Sequence, residues 1–313
     1  MSVILTERAQ IAAAAEVTKG TPVAPLVGDA GIEVFDPSLE PTIETPERNP
    51  VRASYDNPEN IVGNQMYTLT FRTPLKGSGA LGVVTEISTL LQGCGLGETI
   101  NVATDVQYDP VTAETAQTTL TIDLLVDGKR WRLHGAMGNV KFIMAQNEVP
   151  IAEFTFIGIY NAPVDSALLA PTYGAISPPN PVGTLCSWAG NAFVGTTVEL
   201  DLQNDIQLRP DICATTGFLH AYLANRDPQV TIDPEEELVA TVDWLTELVG
   251  AVAGAFAFTL GATLGNIWQF TMPNSQIRSL SYADREGLLI ANLVLAGRAN
   301  TDAGDDSVNL TLV

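Results

Sequence analysis

The sequence predicts a mainly β protein of the α+β type. We expect two tandem β-sandwich or half-barrel domains, each flanked by one α-helix, behind an N-terminal arm. Apolar residues make up 46% of the 313 residues, which is enough to fill one large core or two ordinary ones. Many short segments alternate between apolar and polar residues, as half-buried strands do. The same order of strand, helix, hairpin and strand occurs on both sides of a proline-rich segment.

Residues 1–41 form the predicted N-terminal arm. They are rich in Ala, Pro and Gly, lack sustained periodicity and contain turn signals at Gly20-Thr21-Pro22 and Asp36-Pro37. We expect this arm to become ordered against something else. Glu7 and Arg8 interrupt the first apolar run, so we predict neither a signal peptide nor a membrane segment, and synthesis in the cytoplasm.

Residues 42–161 form the predicted first domain. Its elements are a strand at 67–75, a helix at 82–95 that ends at glycine, a hairpin at 118–144 that turns at Asp127-Gly128, and a strand at 148–161. Residues 46–65 are polar, contain three prolines and show little periodicity. Long loops of this kind in compact domains are usually functional or disordered.

A linker at 162–183 and a second domain at 184–313 complete the prediction. The linker is proline-rich and contains no Lys or Arg, so it is expected to be extended. The second domain repeats the first with strands at 198–208 and 228–236, a helix at 236–251, a hairpin at 256–282 and a strand at 287–300. We expect acids around Asp233 to favour the start of this helix. Trp131 and Trp268 follow their turn glycines by three residues and are expected to pack alike.

The charge balance argues against sequence-specific binding of nucleic acid. The chain contains 36 acidic and 15 basic residues, for a net charge of -21, and its bases form no cluster that could displace counterions from phosphates. An acidic surface repels a DNA duplex, which suits a conduit, although the same acidity can simply maintain solubility. The three widely spaced cysteines fit neither a disulfide framework nor a zinc site.

We predict no enzyme activity and no catalytic, cofactor-binding or metal-binding residues. His134 and His220 are the two histidines, and we interpret both as structural. The glycines of residues 93–97 follow a helix instead of preceding one, and Lys76 lacks the glycine spacing of a phosphate loop. Asp302, Asp305 and Asp306 lack the ligand alternation of a calcium loop. Glu235, Glu236 and Glu237 are interpreted as an acidic helix start.

Several segments together resemble the tail tube proteins of siphophages. They are EVTKGTPVAP, ETPERNPVRASY, LTFRTPLKGSG, LLQGCGLGETI, VQYDPV, LLVDGKRWRLHGAMGNVKF and FTFIGIYNAPVD, and they span residues 16–165. The resemblance implies a β-sandwich with a flanking helix, in which four strands per domain join a barrel that lines a ring of six domains. Two domains per chain would give a trimeric pseudo-hexamer. If the second half is instead an external decoration, six chains would be needed.

The resemblance also implies partners and a location. Rings would stack into the tail of a virion, with tape measure and tail terminator or tip proteins as partners and viral double-stranded DNA passing through the lumen without sequence-specific binding. It further predicts that the arm and the loop at 46–65 contact neighbouring subunits or the next ring. The candidate contact residues on and beside this loop are Glu44, Glu47, Arg48, Arg52, Tyr55, Asp56 and Glu59.

Two other classes of function stay open from the sequence. A virion surface decoration or glycan-binding β-sandwich module would be expected to expose clustered aromatic side chains, whereas the four tryptophans here are scattered through core-like strands. A hydrolase that uses paired carboxylates depends on their separation in the fold, which sequence spacing does not give.

Overall fold

The computed structural model describes residues 4–181 and 185–313. Strands dominate it, which confirms the mainly β prediction. In the first half the elements are β1 (Ala9–Ala15), β2 (Phe35–Ile43), β3 (Gln65–Pro74), α1 (Ser88–Gly93), β4 (Leu96–Asn101), β5 (Asp105–Pro110), β6 (Leu120–Val126), β7 (Lys129–Ala145), β8 (Ile151–Tyr160) and β9 (Val164–Asp165). In the second half they are β10 (Leu185–Trp188), β11 (Asn191–Ala192), β12 (Thr197–Asp201), β13 (Asn204–Pro210), β14 (Phe218–Arg226), β15 (Gln229–Ile232), α2 (Trp244–Val249), β16 (Ala253–Leu260), β17 (Trp268–Arg285), β18 (Leu288–Gly297) and β19 (Asn309–Leu312).

One order of strand pairing occurs twice. In the first half, antiparallel neighbours run β1, β6, β7, β8, β3, β2. In the second half they run β10, β16, β17, β18, β15, β12. β9 pairs with the start of β7, and β19 pairs with the start of β17 in the same way. The helices α1 and α2 occupy equivalent places in the chain, after β3 and after β15 respectively.

The two halves share one sheet and one core. β12 pairs with β7, and the C-terminal β19 returns to pair with β5 of the first half. Phe142 and Phe270 meet across the halves with ring centroids 5.2 Å apart, and both side chains are fully buried. A single hydrophobic cluster therefore contains residues of both halves. The predicted domain boundaries at 42–161 and 184–313 stay a prediction.

The N-terminal arm is partly built into the sheet of its own chain. β1 pairs with β6 from Ala9 opposite Val126 to Ala15 opposite Leu120, and Ile11 is fully buried. Arg8 forms an ion pair with Asp127 at 2.5 Å, and the buried Glu16 accepts a hydrogen bond from the backbone of Gly135 at 2.7 Å. The expectation that the arm becomes ordered against something else is therefore wrong for this part of it, because β1 pairs with a strand of its own chain.

Both predicted helices are shorter than expected. α1 covers only Ser88–Gly93, because the chain before it turns at Thr85, whose hydroxyl accepts a hydrogen bond from the amide of Ile87. α2 covers only Trp244–Val249, with Asp243 as its N-cap. The acids predicted to start this helix lie elsewhere: the backbone of Glu235 bridges to Ile290, and the amide of Glu236 donates to Leu289.

Two further sequence expectations differ from the structure. The strand predicted at 198–208 is divided into β12 and β13, which lie in different sheets, and Gln203 between them has a φ of 47°. Trp268 is fully buried, whereas Trp131 is only partly buried and has the Nζ of Lys129 4.7 Å from its ring centroid. The two tryptophans therefore do not pack alike.

The hairpins and most strands agree with their predicted positions. β6 and β7 turn at Asp127 and Gly128, which both have positive φ. Residues 46–64 contain no regular secondary structure, as predicted, and most of them are exposed. In the parts of the chain that the structure describes, no helix has the length and apolar character needed to cross a membrane.

Candidate functional site

The strongest candidate site is a set of strand edges, beginning with the one that joins the two halves. β7 pairs with β12 from Lys141 opposite Asp201 to Ala145 opposite Thr197. The ladder continues at both ends, where Leu202 donates to the carbonyl of Val140 at 3.2 Å and Gln146 donates to that of Thr196 at 2.9 Å. We call this contact the internal junction.

Side chains support both faces of the internal junction. On one face, Phe142 and Met144 of β7 are buried with Val198 and Leu200 of β12. On the other face, the ammonium of Lys141 lies 2.7 Å from the carboxylate of Glu199. Burial of the apolar pairs stabilises the contact more than this partly exposed ion pair does.

β17 has an edge that corresponds to the junction edge of β7. β16 pairs with β17 only as far as Gln276, so the rest of the strand has a neighbour on one side, β18, within the described residues. Arg285 and Leu288 flank a two-residue turn at Glu286-Gly287 and form its hydrogen-bonded pair. Successive residues of a strand direct their N–H and C=O groups to opposite sides. The N–H and C=O groups of Leu280, Tyr282 and Asp284 therefore point to the open side of β17.

β2 has the second open edge. The amide of Glu44 donates to Asn64 at 2.9 Å, and the carbonyl of Glu44 accepts from Gly63 at 2.7 Å, so even-numbered residues here face β3. Leu39, Pro41 and Ile43 therefore present their backbone groups to the open side. Since proline has no N–H, this edge offers donors at Leu39 and Ile43 only. The ladder with β3 is continuous from Ser38 to Ile43, and its register shifts between Phe35 and Ser38.

Exposed apolar side chains lie near the open edge of β17. Tyr282 is 48% exposed, and Leu288 and Leu289 at the start of β18 are about equally exposed. The neighbouring loop adds Leu238, whose side chain is 80% exposed. The hydrogen bond from the amide of Glu236 to Leu289 holds this loop along β18, on the side of β18 away from β17. Such a concentration of exposed apolar surface is typical of a contact site.

The candidate contact residues from the sequence lie together in the segment between β2 and β3. Every one of them is exposed: Glu44, Glu47, Arg48, Arg52, Tyr55, Asp56 and Glu59. Within the segment, a guanidinium nitrogen of Arg48 donates to the carbonyl of Glu59 at 3.4 Å. Ser54 donates to Asp56 at 2.6 Å. The side chain of Tyr55 makes no packing contact that would shield it, since it is fully exposed.

The matching position in the second half, between β12 and β15, holds the hairpin of β13 and β14. This hairpin packs on β7 and β8, where Ile206 and Ala221 form a small buried cluster with Met137. The backbone amide of Asn204 donates to the side-chain oxygen of Asn139 in β7 at 3.0 Å, and its side-chain amide donates to the carbonyl of Cys94 at 2.7 Å. At the hairpin tip, the carbonyl of Thr216 accepts from the amide of Gln65 at 3.1 Å.

The residues considered for chemistry have structural partners. Asp305 accepts from Thr112, and Asp306 accepts from the backbone of Asn300 and Thr301. Lys76 is buried and lies 3.2 Å from the carboxylates of Glu33 and Glu86. Burial raises the pKa of Glu86, although Lys76 acts in the opposite direction. Among the described residues, no group of three or more His, Cys, Asp or Glu side chains is arranged to hold a metal ion.

Internal ion pairs occupy many of the basic residues. The bases in such pairs include Arg8, Arg72, Lys76, Arg130, Arg132, Lys141, Arg278 and Arg285. Arg226 is largely buried and donates to the carbonyl of Gly95 at 2.8 Å. These ion pairs offset part of the positive charge that could otherwise bind phosphates.

Sequence reasoning identified the exposed segment but missed the two open edges. One signal was present for β2, because prolines such as Pro37 and Pro41 within a strand are typical of an edge strand. The pairing that leaves these edges open depends on contacts between distant parts of the chain, which periodicity does not give.

The family model described as phage tail tube protein matches residues 6–312, which is nearly the whole chain. A search of the curated proteins finds no match.

Proposed function

Because the chain belongs to the phage tail tube protein family, we propose that it is the major tail tube subunit of a siphophage, a structural virion protein. Its copies close into rings, and the rings stack into the tube through which DNA leaves the capsid. The role is structural rather than catalytic. The protein is made in the cytoplasm of the bacterial host and ends in the virion tail.

The observation that carries this proposal is the repeated pairing order, with the two halves joined edge to edge. Each half supplies the set of strands that the family resemblance assigns to one tube domain. The internal junction is one contact between two such domains, and the edges that match it on β2 and β17 are open. Each chain thus contains one paired junction and one pair of open edges of the same kind. Its sheet can extend, or close into a ring, only when further copies pair with these edges.

Three chains per ring fit this arrangement better than six. The alternative of six chains requires the second half to be an external decoration. Here β12 and β15 continue the sheet of the first half, which favours a lining role for both halves. With four lining strands per domain, six domains supply about 24 strands, which at about 4.8 Å spacing and about 45° tilt close a barrel about 50 Å wide.

The charge distribution suits passage of DNA without binding. The chain has a net charge of -21, and many of its bases are held in internal ion pairs. A wall of this kind repels the phosphates of a passing duplex. The same role implies tape measure and tail terminator or tip proteins as partners at the ends of the tube.

The competing role as a glycan-binding or decorating module finds less support. Such sites expose clustered aromatic rings, whereas Trp188, Trp244 and Trp268 are fully buried. Negative-stain microscopy and mass photometry of the purified protein test the proposal. We expect hollow rings or tubes whose smallest closed species has the mass of three chains, about 100 kDa from 33.2 kDa each. A protein that stays monomeric under all conditions would contradict it.

A further inference from the structure

We propose that the contact between neighbouring copies repeats the internal junction, an inference that rests on the proposed ring. The open edge of β2 in one copy pairs antiparallel with the open edge of β17 in the next. The segment at 44–64, which follows β2, covers the outer face of β17 and β18 in that same neighbour. The partner is thus a second copy of this chain, and both surfaces are assigned.

The equivalence of strands assigns the edges. β12 holds in the second half the place that β2 holds in the first, since each pairs with the strand that follows an insertion, β15 or β3. β7 and β17 are likewise equivalent, because each lies between its hairpin partner and the next strand of its half. The pairing of β7 with β12 therefore has one counterpart, the pairing of β17 with β2. This second pairing is not formed within a chain.

The backbone groups on the two edges are complementary. Leu280, Tyr282 and Asp284 each present an N–H and a C=O on the open side of β17. The facing residues of β2 present three carbonyls but only two donors, at Leu39 and Ile43. A strand placed opposite can satisfy both donors when its own outward residues are spaced by two, as those of β17 are.

The exposure of apolar side chains agrees with the equivalence of β7 and β17. At the internal junction the inward side chains Phe142 and Met144 are buried once β12 is in place. Near the equivalent part of β17, Tyr282 is 48% exposed and Leu280 is only partly buried. Docking of β2 covers these side chains, which removes apolar surface from water and favours association.

The insertions after β2 and β12 extend the correspondence. After β12, the hairpin of β13 and β14 lies on the outer face of β7 and β8 and buries Met137. After β2, the segment at 44–64 forms no strand, and its candidate contact residues are exposed. The equivalent outer face of β17 is also uncovered, with Arg278, Ser279 and Ser281 exposed. An uncovered segment and an uncovered face occupy matching positions across the proposed contact.

Cysteine cross-linking in assembled rings tests the strand pairing. In a background with Cys213→Ser, which removes the exposed thiol, one variant carries Thr42→Cys with Ala283→Cys and a second carries Glu40→Cys with Ala283→Cys. The equivalence of strands carries the pair of Asp201 with Lys141 at the internal junction over to Thr42 opposite Ala283, and the second variant tests the register shifted by two residues. The control carries Thr42→Cys with Ile143→Cys, because β12 already occupies the edge of β7 that contains Ile143.

We expect mild oxidation to link chains in one of the two test variants and not in the control, with a ladder that ends at three chains. Rings without a link in either test variant would overturn the assigned edges and leave the proposed function standing. Absence of rings in the unmodified protein would overturn both.

Limited trypsin digestion tests the placement of the segment. Arg48 and Arg52 are exposed cleavage sites in the lone chain. We expect single rings to be cleaved there at least tenfold more slowly than monomers. Equal rates would overturn the placement of the segment on the neighbour.

Discussion

His134 links stability to pH at the scale of a single residue. Its Nδ1 lies 2.5 Å from the side-chain amide nitrogen of Asn161, which donates to it when the imidazole is neutral. Burial lowers the pKa of His134, an effect that Glu16 opposes and Arg132 reinforces. Protonation would therefore place a charge in a half-buried position and remove an acceptor.

The sign of the effect follows from proton binding. Because the pKa of His134 is lower in the folded chain, the unfolded chain binds more protons as the pH falls through the usual histidine value of about 6.5. The stability contributed by the neutral ring is present above that pH and is lost below it. We expect the urea midpoint of the native protein to fall more between about pH 7.5 and about pH 5.5 than that of His134→Gln. Parallel pH profiles for the two proteins would contradict this.

At the scale of elements, the outward prolines of β2 allow a test by backbone chemistry. Leu39→Pro removes one of the two donors on the open edge, while the ladder between β2 and β3 does not use that donor. Leu39→Ala removes the same partly buried side chain but keeps the donor, so it is the matched control. We expect both variants to fold, and Leu39→Pro to weaken each contact between copies by about 1 kcal/mol more than Leu39→Ala.

The quantity to measure is the protein concentration at which rings form, and light scattering detects this formation. Because each ring contains several such contacts, the Leu39→Pro variant should require a concentration of roughly tenfold or more above that of the control. Equal concentrations for Leu39→Pro and Leu39→Ala would show that the open edge of β2 takes no part in assembly.

Elements that depend on local sequence were predictable, and those that depend on distant contacts were not. The hairpin at Asp127-Gly128 was predictable because a positive φ at both positions suits its turn residues. The helix predicted over 236–251 is shorter because the backbone at Glu235 and Glu236 pairs with the start of β18. β1 was missed because a run of alanines carries no alternation that distinguishes a strand.

The candidate site was only partly predictable for the same reason. The polarity and prolines of residues 46–65 identified an exposed segment before its surroundings were known. Leu280 and Tyr282 carry no signal of an open edge, since their exposure depends on where β16 stops pairing with β17. That end point is set by a hairpin between strands of 8 and 18 residues.

At the scale of the whole molecule, the shared core predicts one unfolding transition. Phe142 packs on Phe270, β7 pairs with β12, and β5 pairs with β19, so neither half can unfold without exposing the buried surface of the other. Independent tandem domains would instead melt separately. We expect calorimetry of the monomer to give a single transition whose van't Hoff and calorimetric enthalpies agree. Two resolved transitions would contradict this.

The difference between the two insertions breaks sixfold equivalence in a ring of three chains. The hairpin of β13 and β14 is formed within each chain. In the proposed ring it would recur every 120°, with the segment at 44–64 at the three intervening places. A protein that recognises the rigid hairpin would therefore load with a stoichiometry of three per ring. A protein that recognises only the lining strands would meet a nearly sixfold environment, so the inside and the outside of one ring would present different symmetries to their partners.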